Sequence, residues 1–203
     1  MSTVLAIDTA SAELALALAI DGECVGSFAT PAGHDHSRLL IPAIDALLGS
    51  RRAALTGVVV VHGPGSYAGL RVGIATAEGL AMAAGVPVVG IGTLEAAARA
   101  ANLREGTAIH PAGRGELAAL TFAGGEATGP ARIIAHEEAH GPAFAGEGAG
   151  ALGGREVPAE ERCRAALAMG IERLRAAPRS GVEAFYLREP HITRPKRTPL
   201  LAS

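Results

Sequence analysis

The sequence predicts an α/β protein whose first half is a mixed sheet with helices packed on it. Three observations lead there. Residues 4–30 alternate apolar and small or polar residues through two turn signals. Val58-Val59-Val60-Val61 is a short unbroken apolar run, the pattern of a strand covered on both faces. Between such strands, apolar residues recur at helical spacing.

Val4, Ala6 and Asp8 form a first strand, turned by Thr9-Ala10-Ser11. Leu14, Leu16, Leu18 and Ile20 repeat with period two in a second strand. Asp21-Gly22 marks a hairpin, and Cys24 to Thr30 return as a third, antiparallel strand. After Pro31-Ala32-Gly33, Ser37 is the expected N-cap of a helix carrying Leu40, Ile44, Leu47 and Leu48 and ending near Gly49. Pro42 falls early in it, where it kinks the helix or marks a late start. The Val58–Val61 strand leads through a glycine-rich loop to a helix from about Leu70 to Ala84. A strand over Val86–Ile91 and a helix from Thr93 toward Asn102 follow. Three antiparallel strands, then helix, strand, helix, strand, is the order of an RNase-H-like half-domain.

The boundary is expected at residue 102, with a smaller half-domain over 103–188 and a basic, proline-containing tail over 189–203. In the second part Thr107–His110, Leu117–Phe122 and Ala131–Ala135 read as strands, with Gly124-Gly125 as a turn. Ala159–Ala176 reads as a helix with Leu167, Ile171 and Leu174 on one face, and Val182–Leu187 as a last strand. This half is a shortened, glycine-rich counterpart of the first.

Composition narrows the function classes. A hydrophobic fraction of 49% over 203 residues gives ample material for a core. The sequence holds no apolar run of the roughly 20 residues that span a bilayer, and its opening reads as a strand rather than a secretory signal. A cytoplasmic protein without membrane contact is expected. The formal charge of −2 and an aromatic content of 3% argue against a free-standing nucleic-acid binder. Cys24 and Cys163 are far apart and read as two buried thiols in a reducing compartment.

Several local patterns bear on chemistry. His62-Gly63-Pro64-Gly65-Ser66-Tyr67-Ala68-Gly69-Leu70-Arg71-Val72-Gly73 joins a buried strand to a helix. Its glycines suit a backbone that turns sharply and offers N–H groups to an anion, and suit equally a tight connection with close helix packing. It lacks the Gly-Lys-Ser/Thr of a Walker loop. Asp8-Thr9-Ala10-Ser11 sits where actin-like ATPases and sugar kinases place a metal-organising Asp and a phosphate hairpin, but no glycine occurs between Asp8 and Gly22. Asp8, Thr9, Gly63, Gly65, Ser66 and Gly69 are therefore the candidates for a vestigial nucleotide or anion site. His136-Glu137-Glu138-Ala139-His140 matches the zincin pattern. Strand residues precede it and Gly141-Pro142 follows, leaving at most two turns, so an exposed helical turn is expected. His34 and His36, two apart at a loop-to-helix junction, suit a cap or surface role better than one metal. Arg188, Arg194, Lys196 and Arg197 in the tail offer contacts to an anionic partner or a solvated surface. No Ser-His-Asp set, other catalytic residue or metal site is assigned.

Taken together, Ala6-Ile7-Asp8-Thr9-Ala10, His36-Ser37 with Leu39-Leu40-Ile41-Pro42, and Gly63 through Gly73 resemble the TsaB (YeaZ) family. Thr93-Leu94-Glu95-Ala96, Arg114-Gly115-Glu116-Leu117 and Tyr186-Leu187-Arg188 add to the likeness, which is dense in residues 1–100 and thin from 105 to 182. The resemblance implies an actin-like ASKHA fold of two RNase-H-like halves with mixed sheets. It implies a role in forming N6-threonylcarbamoyladenosine at position 37 of tRNAs that read codons beginning with A. The implied role is that of a non-catalytic subunit, without cofactor, that binds and activates a TsaD-type enzyme. A TsaE-type ATPase joins the complex, tRNA is met only through it, and the chain alone forms a homodimer. TsaD-type proteins carry H-x-E-x-H metal ligands where this chain has Thr93-Leu94-Glu95-Ala96-Ala97, so the resemblance places neither imidazole here. The expected partner surface is Leu40, Ile44 and Leu47 of the first helix with Leu70, Arg71, Gly73, Ile74, Ala77 and Ala81 of the second. The alternatives are an ASKHA enzyme acting alone on ATP through Asp8, Gly63, Gly65 and Gly69, and a zinc peptidase at His136 and His140.

Overall fold

The computed structural model describes residues 2–176 and 181–187. Two sheets organise it. The first is built from β1 (Thr3–Asp8), β2 (Glu13–Ile20), β3 (Glu23–Pro31), β4 (Leu55–Gly63) and β5 (Val88–Gly92), in the order β3-β2-β1-β4-β5. The first three strands are antiparallel, and β4 and β5 run parallel to β1.

The alternation in β2 explains how both faces are covered. Leu14, Leu16 and Leu18 join Leu5, Ile7, Val58 and Val60 on one face. There they meet α1 (His36–Leu48) through Leu40, Ile44 and Leu48, and α2 (Tyr67–Ala84) through Ile74, Ala77 and Ala81. Ala15, Ala17 and Ala19 join Val4, Ala6, Val59 and Val61 on the other face. Against them lies α4 (Ala159–Ala176), through Ala159, Cys163, Ala166 and Leu167. Alanines on the sheet let this helix come close, and a Cβ on Gly170 would overlap the Val59 side chain.

The second sheet holds β6 (Gly106–Gly113), β7 (Glu116–Ala123), β8 (Glu126–Ala127), β9 (Arg132–Ala135), β10 (Phe144–Gly146) and β11 (Arg155–Glu156). Its order is β11-β10-β6-β7-β8, with β9 also paired to β7. The short helix α3 (Thr93–Ala101) packs Leu94 and Ala98 on this sheet, beside Ala108, Ala118 and Leu120. The last described helix, α4, therefore returns to the first sheet, and α3 serves the second.

Several expectations change. The α1 helix starts at His36 after Asp35, with no side-chain cap, so Ser37 lies inside its first turn. Pro42 is within the continuous helix. Residues 182–187 form no strand; they are tied to the end of β4 by the Phe185 N–H donating to the His62 carbonyl at 2.8 Å. Strands β8, β10 and β11, only two or three residues each, are too short to leave a periodic signal. Cys163 is buried, but Cys24 is exposed on β3, whose outer end carries no cover. Arg188, Arg194, Lys196 and Arg197 lie outside the described residues. No described helix is long and apolar enough to cross a membrane.

Candidate functional site

Strand β1 ends at the cleft between the two sheets, and its last residue, Asp8, is fully buried. One carboxylate oxygen accepts the Ala10 N–H at 2.9 Å. The other accepts Arg162 Nε–H at 2.7 Å. Arg162, on the sheet-facing side of α4, is itself fully buried. Its Nη1 donates to Glu147 at 2.9 Å and its Nη2 to the Ser11 hydroxyl at 3.4 Å. Burial alone would lower the Arg162 pKa, but the Asp8 and Glu147 carboxylates together outweigh it and the net shift is upward. A buried cation thus sits against the carboxylate that the sequence marks as metal-organising, and repels any second cation there.

His110, at the centre of β6, completes the cluster. Its Nε2 lies 3.3 Å from the Ala10 carbonyl, an acceptor, which assigns the ring proton to Nε2. Its buried Nδ1 has no hydrogen-bond partner among the described residues and lies 3.6 Å from the Glu147 carboxylate. Burial, and then the Arg162 charge, push its pKa down to about 3. The unfolded chain therefore binds a proton at His110 that the folded chain refuses. The resulting stability is full above the ordinary histidine value and is lost as pH falls from about 6.5 toward 3, by roughly 1.4 kcal/mol per pH unit. Urea unfolding at pH 6.5 and pH 5 should differ by about 1.6 kcal/mol on this account. His110→Gln should flatten that slope, and an unchanged slope would refute the assignment.

The glycine-rich loop packs on the same turn. Ser66 N–H donates to the Ala10 carbonyl at 2.7 Å, and the Ser66 hydroxyl caps α2 by accepting Gly69 N–H at 3.2 Å. Thr9 Oγ1 donates to the Gly69 carbonyl at 2.8 Å. A Cβ on Gly65 would overlap the Ala10 carbonyl, one on Gly69 the Thr9 carbonyl, and one on Gly73 the Thr9 hydroxyl. These positions are glycine because two backbones touch, and the Ser66 and Gly69 amides are already bonded within the chain. Gly63 closes β4 with a φ of 122°, under the Phe185 carbonyl. Asp8, Thr9, Gly63, Gly65, Ser66 and Gly69 are thus brought together, with Arg162, Glu147 and His110 added.

The remaining candidates separate. Thr93 and Ala97 are buried on α3, and the Thr93 hydroxyl has no partner among the described residues. Glu95 pairs with Arg173 of α4 at 2.8 Å. His136–Glu138 form a single exposed 3₁₀ turn, so His136 and His140 do not share the face of a sustained helix. His36 is buried, its Nε2 3.4 Å from the Glu13 carbonyl, while His34 is exposed. Of the expected partner residues, Leu40, Ile44, Leu70, Gly73, Ile74, Ala77 and Ala81 point into the chain's own core. Leu47 is half-buried and only Arg71 is exposed, bonded to the Tyr67 hydroxyl at 2.6 Å. The error is one of face: the apolar stripe of each helix covers its own sheet, and the outer surface carries Ile41, Ala68, Ala75, Gly79 and Met82 instead.

The sequence does carry a signal for Arg162. Ala159, Cys163, Ala166, Leu167 and Gly170 mark the buried face of α4, and Arg162 is the one charged residue on it. Glu147, alone between Gly146 and Gly148, had none.

Comparison with known proteins fits this geometry. Residues 26–143 match the family profile of TsaD, described as tRNA N6-adenosine threonylcarbamoyltransferase. The tRNA threonylcarbamoyladenosine biosynthesis protein TsaB of Bacillus subtilis is 35% identical over 96 residues, 46% of this chain and 42% of that protein. The profile covers more than half of the chain, which therefore belongs to the family it describes, and the curated TsaB proteins are among the proteins it resembles. An uncharacterized protein of Mycobacterium bovis is 34% identical over 155 residues, 73% of either chain. A crystal structure from Pseudomonas aeruginosa, of an uncharacterized protein with similarity to peptidase YEAZ, superposes with a TM-score of 0.75. It shares 23% identity and covers 93% of this chain and all of that one, so the two share a fold, and the two mixed sheets with their helices agree with the actin-like ASKHA type expected from the sequence. The matches to TsaB proteins span less than half the length of those relatives.

Proposed function

We propose that the chain is an accessory subunit in the formation of N6-threonylcarbamoyladenosine on tRNA, and that it binds a TsaD-type catalytic subunit instead of carrying out the transfer. One observation carries the non-catalytic reading: the Asp8 carboxylate is neutralised by Arg162 at 2.7 Å. A magnesium–nucleotide complex needs that carboxylate free and would meet a fixed positive charge in its place. The Ser66 and Gly69 amides, bonded internally, are not free to receive its phosphates. The same contacts weigh against an ATPase acting alone, and the lone 3₁₀ turn at His136 weighs against a zinc peptidase.

The partner surface in this proposal is the outer side of α1 and α2. Ile41 is 53% exposed and Met82 83% exposed, among small residues at Ala68, Ala75 and Gly79 that allow a second helix to approach closely. The same side serves the homodimer of the isolated chain, and a TsaE-type ATPase and tRNA meet the chain only within the complex. Loss of the chain from its host should deplete threonylcarbamoyladenosine in hydrolysed tRNA, measured by mass spectrometry. Restoring the unaltered chain should return the nucleoside, whereas Ala75→Glu with Met82→Glu should fold normally yet fail to co-purify with the TsaD-type protein and fail to restore it. Undiminished nucleoside in the depleted host would end this reading. The buried Ala77 is unsuitable for such a test, because a carboxylate there would disrupt folding.

A further inference from the structure

We infer that Arg162 is a clasp that fixes the two halves of the molecule at one angle, making the chain a rigid template that does not open and close around a ligand. This inference stands on contacts within the chain and holds whatever partner the chain binds.

Helix α4 belongs to the first half by packing, since its apolar face covers the alanine side of the first sheet. From that helix the guanidinium reaches Asp8 and Ser11 within the same half, and Glu147 of the other half, next to β10. A second buried contact crosses the cleft in parallel, from His110 of β6 to the Ala10 carbonyl. The Ala10 carbonyl also accepts Ser66 N–H, so the turn after β1 is gripped by the glycine loop and by the second sheet at once. Two further ion pairs bridge α3 and α4, Arg99–Glu172 and Arg173–Glu95, but both are solvent-exposed and such pairs hold little.

Opening the cleft would break the Arg162–Glu147 and His110–Ala10 contacts together. It would leave the guanidinium with one carboxylate where it now has two, in surroundings that hydrate it poorly. Breaking a buried pair on one side is strongly unfavourable. Nucleotide-driven members of actin-like folds need a cleft that closes on its ligand. Here a side chain of the protein occupies the junction, so the closed relation persists with nothing bound.

Pulsed electron resonance on the full chain tests this, with nitroxide labels at Ala46→Cys on α1 and Ala123→Cys on β7, both exposed positions. Cys24→Ser removes the exposed native thiol, and the buried Cys163 stays unlabelled. The parent should give one narrow distance distribution, unmoved by Mg-ATP. Glu147→Ala removes the link between halves at a side chain that is 30% exposed, and so should fold. It should at least double the width of the distribution. Asp8→Asn with Arg162→Met removes the buried charges as a pair and should broaden it similarly, even where stability is near that of the parent. A distribution that is unchanged in Glu147→Ala, or that is already broad or shifts with Mg-ATP in the parent, would overturn the clasp.

Discussion

Replacing Arg162 with Met alone should destabilise the folded chain by about 3–5 kcal/mol, the usual loss when one partner of a buried ion pair is removed. Met keeps much of the aliphatic stem while removing the guanidinium, so most of the loss comes from the lost ion pair and its hydrogen bonds. The buried Asp8 carboxylate keeps the Ala10 N–H and loses the guanidinium that compensates its burial. A chain of this size shifts its melting temperature by roughly 2–4 °C per kcal/mol, so a fall on the order of 10 °C is expected in a calorimetric scan. Adding Asp8→Asn should recover most of it, since the orphaned charge disappears. If Arg162→Met melts with the parent, the pair is not holding the fold.

The second large effect lies in the glycine loop, where two substitutions of the same chemistry should have opposite signs. Gly69→Ala places a methyl group against the Thr9 carbonyl, in backbone that cannot swing aside as a side chain can. The start of α2 must retreat from β1, weakening the Thr9–Gly69 hydrogen bond, for a loss of about 1–3 kcal/mol or more. Gly79→Ala, ten residues on in the same helix, meets open space. It should stabilise the isolated chain by up to about 1 kcal/mol through helix propensity. Urea midpoints separate the two readily. Equal and small effects would mean that the close approach at Gly69 is not rigid.

The first sheet was legible because its signals are local: alternation in β2, the Asp21-Gly22 hairpin, and the unbroken valine run of β4. The helices were legible in extent, and α4 matches its expected span of Ala159–Ala176. Which side of a helix faces inward was harder. In α1 and α2 apolar residues fall on more than one side, and periodicity alone does not say which side a sheet will cover. Strands β10 and β11 were beyond reach because two or three residues leave no periodic signal, and β10 finds its place only by pairing with the more distant β6. The site was half legible. Asp8 and the glycine loop are contiguous motifs, while Arg162 reaches Asp8 across 154 positions of chain. The lone charge on the apolar face of α4 was the available clue, since a buried arginine demands a carboxylate.

The route of α4 back to the first sheet also bears on how the chain is made. Strands β1 to β5 are translated early, yet the alanine side of their sheet gains most of its cover from residues 159–176. On the ribosome, the nascent first half carries a bare apolar surface and an uncompensated Asp8 until the second half has emerged. Its maturation is therefore late and all at once, and a fragment ending at residue 102 inherits the unfinished surface as a permanent liability.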